Sequence, residues 1–379
     1  MKITIGADFI PTQSNLEAFC NGDAEALCDK ALLKYMESMD YRIFNLEAAL
    51  ADSTIAIEKE GACFVAPTAA VNAYRAVGVN LLTLANNHIL DAGEGNLQNT
   101  IAAVVNAGIS YVGAGKTIFE AKEPFIIMRD NLQIGIYACT EHEFSIASQM
   151  CPGANPYDAF TSFDDVRVLK EQCDFVIVLY HGGKENYRYP SPKLQRTCRR
   201  FVEFGANAVI TQHSHCIGCM EEYNGATICY GQGNFLFDGV DNKMWETSLL
   251  ITIDIDKDSH EFNFIPLRKR AGGVNMAQGE DARRILEDFE LRSQEIQREG
   301  FVEEKYKELA RKTIYTYLGR SMGRIRTSVV GRLANKLFGE KIWGLPYDRR
   351  SAVRLRNIVE CETHRELFLK GLEWYGCNK

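Results

Sequence analysis

From the N-terminus to about residue 270, short runs rich in β-branched and aliphatic residues alternate with segments whose apolar residues recur at helical spacing. "KITIGAD", "YRIFNLE" and "VNLLTLA" read as strands. Between them "DAEALCDKALLKYMESM" reads as one helix with Asn21 or Asp23 as cap, and "PTAAVNAYRAVG" as another, with Pro67 near its start and Gly78 at its end. "EGNLQNTIAAVVNAG" is a further helix, ended by Gly108. Strand, helix and strand in this order demand crossover connections, and so parallel pairing.

The middle of the chain changes character. "PFIIMRDNLQIGIYACT" reads as a hairpin turning at Asp130 and Asn131, after which "FDDVRVLKEQC", "DFVIVLY", "SPKLQRTCRRFVEFG" and "ANAVITQ" resume the alternation. Two more hairpins follow, one at Asn224-Gly225 and one around Lys257 to Ser259. The expected class is α/β (α+β), with mixed sheets flanked by helices. Beyond about residue 275 the pattern is helical, which predicts a sheet-bearing domain over 1–272 and a helical C-terminal extension over 273–379.

A formal charge of −7 argues against a dedicated nucleic-acid binder. One basic segment stands out against it, "GRSMGRIRTSVVGRLANKLFGEKIWGLPYDRRSAVRLR", where only Glu340 and Asp348 oppose the Arg and Lys residues. This predicts contact between 320–357 and a membrane surface or an acidic partner. The first ten residues read directly as a strand without a signal-peptide pattern, and no window reaches the roughly 18 apolar residues of a membrane span, so the expected location is cytoplasmic. Cysteines such as Cys139, Cys173, Cys198 and Cys229 sit inside apolar runs, where a reduced thiol behaves as a small hydrophobe.

The strand ends carry the chemistry. "ITIGAD" finishes at Asp8, "RIFNLE" at Glu47, "LLTLANNH" at Asn86, Asn87 and His88, "FVIVLYH" at His181, and "AVITQHSH" at His213 and His215. In an α/β sheet the carboxyl ends of parallel strands share one edge, so residues scattered over the sequence converge there. Mixed imidazole and carboxylate donors suit Mn, Fe, Zn or Ni better than Mg or Ca. So many donors point to one or two divalent transition metal ions, two of them sharing a bridging carboxylate. A competing metal reading pairs Cys216 and Cys219 of "HSHCIGC" with His213 and His215, although that His spacing is too close for a finger.

These motifs resemble the CapA family of poly-γ-glutamate capsule biosynthesis proteins, in the calcineurin-like metallophosphoesterase superfamily. The resemblance rests on "GAD" at 6–8, "NLE" at 45–47, "ANNHILDAG" at 85–93, "HGGKENYRYPSPKLQ" at 181–195, "GANAVITQHSH" at 205–215 and "YGQGNFLFD" at 230–238. It implies a four-layer sandwich with two central mixed β-sheets flanked by helices, and a two-metal site at the strand ends. By motif, Asp8 and His215 correspond to ligands of the first metal, Glu47 to the bridging carboxylate, and Asn87, His181 and His213 to ligands of the second. His88 corresponds to the residue that protonates the leaving group. Where the superfamily has D-x-H, this chain has Asp8-Phe9-Ile10, which removes one imidazole from the first metal, and Glu replaces the bridging Asp.

The expected function is a metal-dependent hydrolase of phosphoesterase type, with a metal-activated water attacking a phosphoester or amide bond in a capsule or poly-γ-glutamate pathway. His88 is the expected general acid and Asp91 the residue that orients it. Asn86, Lys184, Tyr187, Arg188 and Asn234 are the expected contacts for an anionic small-molecule or polymer substrate. The alternative is a polyanion-binding assembly factor that binds with little or no turnover.

Overall fold

The computed structural model describes all residues except 54, 55, 58, 60, 258, 322, 361–363, 366, 367, 370 and 373–379. The turn expected around Lys257 to Ser259 and the end of the last expected helix therefore lie partly outside the described residues. The chain divides into two compact units, 1–303 and 304–379.

Two large mixed sheets form the first unit. In one, the strands Lys2–Asp8, Tyr41–Asn45, Leu81–Thr83 and Ser110–Val112 run parallel. The antiparallel strands Thr247–Ile255, His260–Arg270 and Gly273–Met276 extend it on the other side of Lys2–Asp8. In the other, Leu132–Thr140, Phe175–His181, Ala208–Gln212 and Ala226–Gln232 are parallel, and antiparallel strands close both edges, Phe125–Arg129 on one side and Ile217–Tyr223 on the other.

The two-residue period of a strand sorts its side chains into separate cores. Along Phe175–His181, Ile177 and Leu179 meet Ile3, Ile5, Ile43 and Leu81 between the sheets, while Val176 and Val178 face Cys198 and Phe201 of the helix Pro192–Glu203. Both faces are covered, which is why the run is continuously apolar. On the far side of the first sheet, Phe19, Leu32, Met36 and Tyr74 pack from helices against Phe44 and Leu82. The order is helix, sheet, sheet, helix, as the resemblance implies.

The helix expected over 23–39 is in fact two, Ala24–Leu27 and Lys30–Glu37. Cys28 between them is extended and bridges to Val274, and Asp29 caps the second helix by accepting from Leu32 N at 2.8 Å. A strand contact therefore overrides helical periodicity. The strand Gly273–Met276, unannounced by any strand signal, supplies that contact, and the helix Gly279–Glu295 places Ile285 and Phe289 in the core between the sheets. Among the described residues no helix is long and apolar enough to cross a membrane.

Candidate metal centre

The carboxyl ends of the parallel strands in both sheets meet at one edge. Asp8 and Glu47 are fully buried there, and His181, His213 and His215 are buried at 2%, 4% and 5% exposure. His181 Nε2 lies 3.2 Å from Glu47 Oε1, 3.1 Å from Asn87 Oδ1 and 3.1 Å from His213 Nδ1. His215 Nδ1 lies 3.4 Å from Asp8 Oδ2 and 2.8 Å from Asn234 Oδ1. Two donor sets share Glu47, which groups with His181 and His213 and again with Asp8 and His215, while Glu185 with His213 and His215, and Glu141 with Glu143 and His213, form two further groups. Asn87 adds a fourth donor beside the first set.

The backbone has unusual geometry where these histidines sit. His213 and His215 have φ of 82° and 54°, in the left-handed region that non-glycine residues seldom adopt. Ser214 closes the turn by donating to Cys216 O at 3.2 Å. Asn45 ties the two sheets together, donating to Asp8 Oδ1 at 2.7 Å and lying 3.3 Å from His181 Nδ1.

The donor set fits a divalent cation. Asp8 Oδ2 and both carboxylate oxygens of Glu47 are buried and receive no hydrogen bond. Burying carboxylate oxygens without donors is costly unless a cation compensates. The neighbouring ring nitrogens are of the type that ligates transition metals. Burial alone would push His215 down, but the carboxylates of Glu47 and Asp8 hold it up to about 9. His181 is likewise held above its ordinary value by Glu47 and Asp8 against the effect of burial. Burial and the neighbouring imidazoles push His213 well down. Asp8, against burial, is lowered by the close approach of the His215 ring and by the charge on His181. Ile10, at the position where the resemblance would put an imidazole, is packed with Phe237 and Trp245, and the Trp245 ring lies 4.6 Å from that of His215.

His88 sits beside this cluster. Its Nδ1 is 2.6 Å from Asp91 Oδ2 and 3.0 Å from Lys59 Nζ, and Lys59 Nζ reaches Asp91 Oδ1 at 2.5 Å. Phe64 N donates to Asp91 Oδ2 at 2.6 Å, and the Phe64 ring lies 4.3 Å from the His88 ring. His88, Asn87 and His215 help line a cavity of about 250 Å³, together with Glu143, Glu185 and Trp245.

The other expected contacts are placed differently. Asn86 is fully buried and spends its amide on Asn45 Oδ1 and Leu46 O, while its carbonyl accepts from His88 N. Lys184, Tyr187 and Arg188 do not line the cavity; Arg188 donates to Ile217 O at 3.0 Å and Tyr187 packs against Tyr189. Asn234 Nδ2 is buried without a hydrogen-bond partner. Cys216 and Cys219 are both fully buried, and among the described residues neither belongs to a group of metal-ligating side chains.

Several contributors carry no prior expectation, among them Lys59, Asn45, Glu141, Glu143 and Glu185. Lys59 lies in a loop with no periodic pattern to mark it. Glu141 and Glu143 follow Leu132–Thr140, a parallel strand with the same carboxyl-edge signal as the other five. Glu141 Oε1 is 3.5 Å from His213 Nε2, and burial raises its pKa against the bond it accepts from Gly183 N. Glu143 Oε2 accepts from Asn87 Nδ2 at 2.8 Å.

Comparison with known proteins adds relatives to this geometry. The chain is 29% identical over 174 residues to the capsule biosynthesis protein CapA of Bacillus anthracis, covering 44% of this chain and 42% of that protein. It is 27% identical over 172 residues to the PGA biosynthesis protein CapA of Bacillus subtilis strain 168, covering 44% and 45%. The alignments thus span about half the length of these curated relatives or less. Among solved structures, a putative 5'-nucleotidase from Staphylococcus aureus aligns with a TM-score of 0.44 and 14% identity, over 76% of this chain and 57% of that one. Residues 7–239, more than half of the chain and every strand-end residue of the site, match the family described as bacterial capsule synthesis protein PGA_cap, and the chain belongs to that family.

Proposed function

We propose that this protein is a metal-dependent hydrolase that cleaves a phosphoester or amide bond in an anionic substrate of a capsule or poly-γ-glutamate pathway. One observation carries the reading: three buried carboxylate oxygens without hydrogen bonds face three imidazoles at an edge that opens on a cavity lined by His88. Asp8, Glu47 and His215, together with Glu47, Asn87, His181 and His213, would hold one or two ions of Mn, Fe, Zn or Ni, which would supply Lewis-acid activation of water and of a substrate oxygen.

The chain's own residues set up the rest. Asp91 and Lys59 engage His88 Nδ1, which leaves Nε2 as the nitrogen able to give a proton to the leaving group. Glu143 takes the Asn87 amide hydrogens, so that the Asn87 carbonyl faces His181 and the ligand set. Asn234 holds His215 with its carbonyl, which leaves its buried Nδ2 as an unused donor beside the ligand set. Phe64, Phe237 and Trp245 wall the cavity with apolar surface, which strengthens each polar contact inside it.

Elemental analysis of untreated protein, paired with hydrolysis assays on phosphomonoester, phosphodiester and γ-glutamyl amide substrates in added Mn, tests this directly. The expected result is bound transition metal and turnover of one bond class, both lost in the His181→Ala, His213→Ala double variant. Protein without metal overturns the reading. Bound metal with no turnover of any class is the behaviour of a binding or assembly factor and overturns it equally.

A further inference from the structure

The helix Val329–Phe338, in the unit 304–379, exposes the side of itself that a folded chain ordinarily buries. Val329, Val330, Leu333, Leu337 and Phe338 are exposed by 72%, 77%, 55%, 66% and 69%. At 3.6 residues per turn these positions fall on one half of the helix circumference, with Arg332 and Lys336 along one border. The opposite half is pinned. Gly331 packs so closely on the backbone of Ile325 and Arg326 that a Cβ there would overlap it, and Asn335 accepts from Trp343 Nε1 at 2.8 Å. Ser328 caps the helix through Gly331 N at 3.0 Å. The rotation of the helix is therefore fixed, and the apolar stripe faces outward because the other face is already in use.

Charge identifies what covers the stripe. Residues 320–357 hold ten Lys and Arg against two acids, in a chain whose formal net charge is −7. Both acids are engaged locally: Glu340 pairs with Arg326 at 3.2 Å, and Asp348 accepts from Ser351 N at 2.7 Å. Arg332, Lys336, Lys341, Arg349, Arg350 and Arg354 are all exposed. We propose that this helix and its basic flanks form a docking surface for an anionic phospholipid bilayer, with the apolar stripe seated at the boundary between headgroups and acyl chains. A soluble polyanion would neutralise the cations yet leave five apolar side chains in water. A second copy of the chain would cover the stripe but bring two basic surfaces together. A lipid interface satisfies both features at once. The surface is independent of the hydrolase reading, and each stands or falls alone.

Flotation of the full chain with vesicles tests it, comparing phosphatidylcholine alone with phosphatidylcholine mixed with phosphatidylglycerol. The expected result is binding to the mixed vesicles only, weakened by salt as a screened attraction must be. A Leu333→Glu, Leu337→Glu variant and an Arg332→Glu, Lys336→Glu variant should each bind at least about tenfold more weakly. All four positions are exposed, so the thermal unfolding midpoint of each variant should match the parent. Absence of binding to the mixed vesicles overturns the proposal, as does equal binding to both compositions. Binding of soluble polyglutamate that is unchanged in Leu333→Glu, Leu337→Glu, with no vesicle binding, assigns the surface to a polymer. A dimer in the parent that becomes a monomer in that variant assigns it to a second copy.

Discussion

Lys59 shows how one side chain conditions another at this site. Its side chain is 2% exposed and its amine touches Asp91, His88 and the Asn87 carbonyl, so it helps hold the carboxylate and the ring it contacts. In Lys59→Met, Asp91 keeps its bond from Phe64 N and its contact with His88 but loses the nearest cation. Stability should fall by on the order of 2 kcal/mol in urea unfolding. Turnover should fall by about 10- to 100-fold with metal content unchanged, because none of the proposed ligands is altered. Metal loss on the same scale as activity loss would mean that Lys59 supports the ligands and not His88. The five strand-end groups are legible in the sequence because a buried strand that stops at a polar residue has few structural reasons to do so. Lys59 is illegible for the opposite reason: a lysine in an aperiodic loop carries no mark of its burial. Glu141 and Glu143 stand between these cases, since the strand before them obeys the rule but reads as the arm of a hairpin.

At the scale of elements, the site depends on how closely the strands Lys2–Asp8 and Tyr41–Asn45 pack, because one ends at Asp8 and the other leads into Glu47. Their parallel register shifts between Ile5 and Asp8, which brings Asp8 opposite Asn45. Gly6 lies within that shift, and a Cβ there would overlap the fully buried Phe44 ring. Gly6→Ala must move either the ring or the strand. It should cost about 1–3 kcal/mol in denaturant unfolding, the usual range for overpacking. It should also lower metal content, because Asp8 sits two residues on. A variant with full metal content and unchanged stability would show that the ring yields freely and that the register does not hold the ligands. The same elements explain where periodicity fails as a guide. The break at Cys28 comes from a partner strand nearly 250 residues away, and a local pattern of apolar residues holds no information about such a contact.

For the whole molecule, the decisive feature is that folding encloses two carboxylates and three imidazoles at one edge of the sheets, so stability must depend on their protonation. In chelated protein the raised and the depressed groups make stability depend on pH in opposite directions. The carboxylates of Glu47 and Asp8 raise His215 to about 9, well above its ordinary value near 6.5. That contribution is complete below about 6.5 and is lost as pH climbs through about 9, and the raised His181 acts in the same sense. His213 is depressed, so the unfolded chain takes up its proton first and stability drains as pH falls below about 6.5. Asp8, also depressed, adds stability that is present above its ordinary value near 4 and is lost as acid carries the pH through its folded value. The unfolding midpoint of chelated protein should therefore peak near neutrality and decline on both sides. Metal ligation takes the same nitrogens and oxygens away from protons, so reloading with Mn or Zn should raise the midpoint and move its acid limb, where protons compete for the ligands. Thermal unfolding across this pH range, with and without metal, measures both effects. Identical curves in the two series would mean that the buried cluster is held by protons alone and takes no metal.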